Sequence, residues 1–153
     1  MAKEIISTVT NQLAPIITYK KLSAQQMKLL VNNPIELIPA QGPQTVIVAK
    51  SCACRFGYGG TSAFTGPGYL TVKYNDPMSL VVFPSIMSNT SMTGTIDRYS
   101  ISSYLQTSNM NLAPGTLANF GLILCNPVND FGGNALNDNV LYIQICYWVA
   151  TLY

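Results

Sequence analysis

The chain has 153 residues, of which 48% are hydrophobic and only 9% charged, and its formal net charge is +2. Soluble domains average about 25% charged residues, so Asn, Ser, Thr and Gln must do the solubilising here, and a surface with so little repulsion favours association into a fixed assembly. The length fits one domain with its own core; no run approaches the ~20 apolar residues of a membrane span, and the early polar and acidic residues of Met1-Ala2-Lys3-Glu4-Ile5-Ile6-Ser7-Thr8 leave no export signal to expect.

Residues 1–21 read as an arm. Ile5, Ile6, Val9, Leu13, Ile16 and Ile17 are apolar, and Pro15 interrupts any long helix. Loose termini are mostly polar, so an apolar arm needs a surface, either on a neighbouring subunit or larger scaffold or at the edge of its own sheet. Through Arg55 the cations Lys3, Lys20, Lys21, Lys28, Lys50 and Arg55 face only Glu4 and Glu36. That balance suits an acidic partner, although scattered solubilising lysines give the same pattern. Lys3, Ile5, Ile6, Ile16, Ile17, Lys20 and Lys21 are the attachment candidates.

A short helix follows the arm. Ser23 as N-cap and Gln26 three residues on form a capping box, Leu22 and Met27 occupy the staple positions, and Asn32-Asn33-Pro34 stops the helix. From there the pattern is strand-like, with about seven segments, at 35–38, 45–56, 69–74, 80–83, roughly 96–105, 119–125 and 140–150. In the third, Leu70, Val72 and Tyr74 alternate with Thr71 and Lys73, which predicts one buried face. No helices alternate with the strands, so residues 22–153 are expected to form an all-β antiparallel sandwich and not a parallel sheet.

The last strand is apolar on both sides. Leu141, Ile143, Ile145, Tyr147 and Val149 form one face, while Tyr142, Gln144, Cys146, Trp148 and Ala150 on the other are barely polar. A sheet wetted on one side alternates more cleanly, so the second face should be covered as well, by the other sheet's loops and the arm or by another subunit. Tyr142, Gln144, Cys146 and Trp148 are the oligomer-interface candidates.

Catalytic signatures are thin. The chain has no histidine, which removes Ser-His-Asp and Cys-His sites, and its acids are dispersed, although Asp97, Asp130 and Asp138 could meet in space. No enzyme and no cofactor are expected. The Gly-rich stretch Phe56-Gly57-Tyr58-Gly59-Gly60-Thr61 lacks the Lys-Ser/Thr or βαβ context of a phosphate loop. Asn129-Asp130-Phe131-Gly132-Gly133-Asn134 and Asn137-Asp138-Asn139 hold oxygen ligands but no EF-hand or nonapeptide spacing, so they read as loops. Cys52 and Cys54 share one strand face and could donate to a metal, yet Cys125 and Cys146 do not complete zinc spacing; a Cys125–Cys146 bridge stays open, with free thiols as the expectation. Few cations speak against nucleic acid. A sugar-binding set drawn from Tyr58, Phe64, Tyr69, Tyr99 and Tyr104 is the rival reading.

The layout resembles small β-rich structural proteins of tailed bacteriophage virions, of the head-decoration, head-fibre or auxiliary capsid type. The resemblance is carried by Leu22-Ser23-Ala24-Gln25-Gln26-Met27, by Asn33-Pro34-Ile35-Glu36-Leu37-Ile38-Pro39-Ala40-Gln41-Gly42 and Thr45-Val46-Ile47-Val48, by the turn Tyr58-Gly59-Gly60-Thr61-Ser62-Ala63-Phe64, and by Tyr142-Ile143-Gln144-Ile145-Cys146-Tyr147. It implies a jelly-roll-like sandwich, often a homotrimer, fixed to capsid or other virion proteins and assembled in the bacterial host cytoplasm. A glycan- or receptor-binding module of a tail or head fibre is the alternative. Residues 1–21 lie outside the resemblance, and their anchoring role is read from apolarity and lysines.

Overall fold

The computed structural model describes residues 14–103 and 118–151, among which ten strands and two short helices form. In chain order these are β1 (Ile16–Ser23), α1 (Ala24–Lys28), β2 (Ile35–Ile38), β3 (Thr45–Gly57), β4 (Phe64–Thr65), β5 (Leu70–Tyr74), β6 (Val81–Met87), α2 (Asn89–Met92), β7 (Arg98–Ser103), β8 (Leu122–Cys125), β9 (Gly132–Gly133) and β10 (Val140–Thr151). Two four-stranded antiparallel sheets carry the fold, with strand orders β1-β10-β3-β7 and β2-β8-β5-β6. The pairs nest: β5 with β6, β3 with β7, β2 with β8, and β1 with β10. A chain paired in this way is one long hairpin rolled over into two packed sheets, which is the jelly-roll arrangement. The all-β sandwich expected from the turn spacing is the fold observed.

Alternation explains the core. Cys52, Cys54 and Phe56 of β3 and Leu141, Ile143, Ile145 and Tyr147 of β10 point inward from the first sheet, and Leu70, Val72, Phe83, Leu122 and Leu124 meet them from the second in one continuous cluster. The Tyr74 hydroxyl of β5 donates to the Ile47 carbonyl of β3, tying the two sheets by a hydrogen bond. The helix start also forms as its residues dictate. The Gln26 amide donates to the Ser23 hydroxyl and the Ser23 amide to the Gln26 side chain, while Leu22 and Met27 are fully buried beneath the cap.

Three places differ from the local pattern. The segment expected at 80–83 runs on to Met87 through Pro84 and through Ser85 at a φ of 52°. Proline is tolerated because β6 is an edge strand whose outer N–H groups have no ladder to serve. Residues 16–21 are the first six of β1, which adds to the edge of β10 from Ile16↔Tyr147 to Ser23↔Val140. The arm candidates Lys3, Ile5 and Ile6 lie outside the described residues. The small β4–β9 pair, Phe64↔Gly133 and Thr65↔Gly132, closes the loops at one end, with Phe64 stacked between Phe56 and Phe131 at centroid distances of 6.0 and 5.5 Å.

Candidate functional site

The first sheet is long and central because β3 and β10 pair over twelve positions of register, interrupted by a shift between Cys146 and Tyr147 that bulges Lys50 out of β3. Its inner face is buried. Its outer face is open among the described residues, since β1 joins edge-on instead of lying across it. Register then fixes the rows on this face: Lys21, Tyr142, Arg55 and Tyr99 stand side by side, as do Tyr19, Gln144, Ala53 and Ile101, and then Ile17, Cys146, Ser51 and Ser103.

Tyr19, Tyr99 and Ile101 are 71%, 73% and 82% exposed, and Tyr142 39%. Between them lies a hollow of about 530 Å³ lined chiefly by Tyr19, Lys21, Arg55, Tyr99, Ile101 and Tyr142. The Arg55 guanidinium is 5.9 Å from the Tyr99 ring centre and 5.7 Å from that of Tyr142, and the Lys21 ammonium is 5.6 Å from Tyr142. At the rim, Arg55 donates to Asp97 at 3.0 Å, and the other Asp97 oxygen accepts from the Tyr58 amide at 3.0 Å. This hydrogen bond raises the Arg55 pKa above its ordinary value, and the Arg55 and Tyr58 donors hold the Asp97 carboxyl below its own. Two tyrosines and an acid thereby hold one cation in place.

The other end of the face is different in kind. Ile17 and Val48 are exposed there, Cys146 and Trp148 are half-buried, and Lys50 lies 5.3 Å from the Trp148 ring centre. Of the four interface candidates read from the last strand, Tyr142 and Gln144 thus line the hollow, whereas Cys146 and Trp148 belong to the apolar end. Among the attachment candidates, Ile17 and Lys21 share this face with them and Ile16 and Lys20 lie on the same edge strand. Sequence reasoning missed Tyr19, Arg55 and Ile101. The period-two series Ile17, Tyr19, Lys21 is the signal that could have found the first of these, once β1 is read as a strand.

The remaining candidates resolve into structure. Phe64 is buried in the core and Tyr104 lies outside the described residues; of the described members of the sugar set only Tyr99 lines the hollow. The Asn/Asp loops use their oxygens on the protein itself. Asp130 accepts from the Val31 amide at 2.9 Å, and Asp138 accepts from Thr61 at 2.5 Å and from Asn134 at 2.6 Å, which holds its carboxyl below the usual range. Asn134 and Asn139 are fully buried in this knot, and Lys28 reaches it through the Asn134 carbonyl and the Asn137 side chain. The Gly-rich turn packs against it: the Gly59 amide donates to Asn139 at 2.9 Å, and a Cβ on Gly59 would come within 2.6 Å of the Asp138 main chain.

Asp97, Asp130 and Asp138 go to separate partners, and no group of three His, Cys, Asp or Glu side chains gathers among the described residues. Cys52 and Cys54 face inward with sulfurs 3.7 Å apart, and the Cys54 pKa is pushed far above the ordinary thiol range, first by its hydrogen bond to Cys52 and then by burial. A thiol held protonated is in the wrong state for a metal ligand or a nucleophile. The open question of a Cys125–Cys146 bridge is settled by topology: β8 belongs to one sheet, Cys146 stands on the outer face of the other, and all four thiols are free.

No protein-family model matches the chain, and no curated protein matches it. Among solved structures, it is similar to a chain of the cyanophage Pam1 capsid asymmetric unit, at 12% identity and a TM-score of 0.47, over 91% of this chain and 85% of that one.

Proposed function

We propose that the chain is a non-enzymatic structural protein of a tailed-phage virion, carried on the capsid through its N-terminal region and self-associating through the outer face of the β1-β10-β3-β7 sheet. The observation that supports this most is the apolar end of that face, open among the described residues, with Ile17, Val48, Cys146 and Trp148 on one sheet and no carboxylate among them. Depletion of charge around an aromatic anchor is the composition of an interface centre. A chain with 9% charged residues also has little to keep copies apart. The resemblance in layout to phage decoration and head-fibre proteins points the same way. Attachment is assigned to Lys3, Ile5 and Ile6, continuing into Ile16, Ile17, Lys20 and Lys21.

Light scattering of the full-length protein across a dilution series tests the association. A closed oligomer such as a trimer that survives dilution is expected, and a monomer at every concentration would refute it. Attachment is tested by co-sedimentation with particles, using a chain that starts at Ala14, which keeps β1 intact. Loss of particle binding with the fold retained is expected; equal binding would remove the arm from the mechanism. A second reading, a glycan- or receptor-binding module, is favoured by the tyrosine-lined hollow at the other end of the face.

A further inference from the structure

We infer that the hollow between β1, β10, β3 and β7 is a binding site for an acidic saccharide, a pyranose ring bearing a carboxylate. The inference rests on the second reading above and names its ligand class. Three features carry it. The hollow is walled by three tyrosines from three different strands, Tyr19, Tyr142 and Tyr99, which offer ring faces to sugar C–H groups and hydroxyls to sugar hydroxyls. Its volume of about 530 Å³ lies within the roughly 300–1,000 Å³ of small-ligand sites. Its charge is one-sided among the described residues: the side chains of Lys21 and Arg55 face it, no Asp or Glu lines it, and Asp97 meets Arg55 only from the rim.

The geometry around Arg55 selects the ligand's charged group. A guanidinium carries five N–H donors in a planar fork and pairs best with a carboxylate. Here a single hydrogen bond goes to Asp97, itself anchored by the Tyr58 amide, and the Tyr99 and Tyr142 rings flank the guanidinium. A cation steered by a partner and two rings loses less freedom than a free one when it binds an anion. The same charge also argues against a second copy docked face to face at this end, since Lys21 and Arg55 would meet their own kind. A flat acidic protein surface, of the ~800 Å² per partner typical of such contacts, would gain nothing from rings standing around a hollow.

The test uses calorimetry on the purified full-length protein with five probes: trigalacturonate, its methyl ester, sialyllactose, lactose, and poly-glutamate of matched charge. At least one acidic sugar should bind, about 10-fold or more tighter than its uncharged counterpart and than poly-glutamate, and more weakly as salt rises. Which of the two acidic sugars binds identifies the source of the carboxylate. Arg55→Gln and Tyr99→Ala should each weaken binding about 10-fold or more while the circular dichroism and native mass stay unchanged. Equal binding of ester and acid would overturn the carboxylate assignment. Equal binding of poly-glutamate would make the hollow an acidic-protein contact, and no binding by either acidic sugar would overturn the site. Native mass and particle co-sedimentation report on the structural role separately, so one proposal can fail without the other.

Discussion

The two faces of β10 make a controlled comparison, because one strand presents apolar residues to both sides and, among the described residues, only one side is fully covered. Leu141, Ile143, Ile145 and Tyr147 are sealed by the second sheet, while Tyr142, Gln144, Cys146 and Trp148, their immediate neighbours, remain partly open. Strand composition alone therefore does not decide what is core. What decides it is the fold of the other sheet, and the face left over is the part with surface to spare for a partner. The sharpest way to break this contrast is one substitution on each side. Ile145→Asp places a charge where nothing can solvate it and should cost more than about 4 kcal/mol, a large share of the 5–15 kcal/mol that holds a typical domain together. Chemical denaturation should find the variant unfolded or nearly so. Trp148→Ala on the outer face should cost only about 1 kcal/mol of folding yet weaken association by about 2 kcal/mol or more, seen as dissociation at higher concentration in the dilution series. Equal losses of folding on both faces would mean that the outer face also stabilises the monomer.

Much of the inner face was legible because burial writes a period of two into β3 and β10, and because the Ser23/Gln26 capping box is a local chemical signature. β1 was harder to read. Ile16-Ile17-Thr18-Tyr19-Lys20-Lys21 shows no clean alternation, since an edge strand with Lys20 and Lys21 at the rim has only Leu22 fully buried. The pairing that makes it a strand, Ile16 with Tyr147, joins residues far apart in sequence. The hollow depends on the same long-range register, since Tyr19, Arg55, Tyr99 and Tyr142 come from four strands and become one row or its neighbour only after the hairpin has rolled up. Sequence named Tyr142 for the last strand and Tyr99 for sugar stacking, but nothing local could bring the two together.

The loop knot provides a second contrast, between polar groups that are sealed and polar groups that are open. Gly59→Ala should push against Asp138, whose main chain would lie 2.6 Å from the new Cβ and whose side chain would lie closer still, and cost about 1–3 kcal/mol with no effect on association. Thiol labelling separates the faces again. Cys146 on the outer face should react first in dilute protein and more slowly once the oligomer forms, while Cys52 and Cys54, both buried, should react about 100-fold more slowly, only as the protein unfolds. Fast labelling of Cys52 or Cys54 would mean that the inner face opens.

The smallest effect expected concerns acid. The Asp138 carboxyl is held below its ordinary value of 3.8 by hydrogen bonds from Thr61 and then Asn134, so its ionised form favours the folded state. A group depressed in this way contributes its full stability above its unfolded pKa and loses it as pH falls through the lower folded one. Asp138→Asn should therefore be less stable than the unmodified chain at about pH 7, and the gap should narrow as pH falls below the ordinary carboxyl value of 3.8. Denaturation midpoints followed from neutral pH into acid check this. A gap that persists in acid would show that the Asp138→Asn substitution disturbs the knot sterically and not through charge. Asp97 carries the same sign of shift at the rim of the hollow, but Asp97→Asn also releases Arg55 from its acid. Its distinguishing consequence is a change in binding of the acidic sugar at about pH 7, where Asp138→Asn should have none.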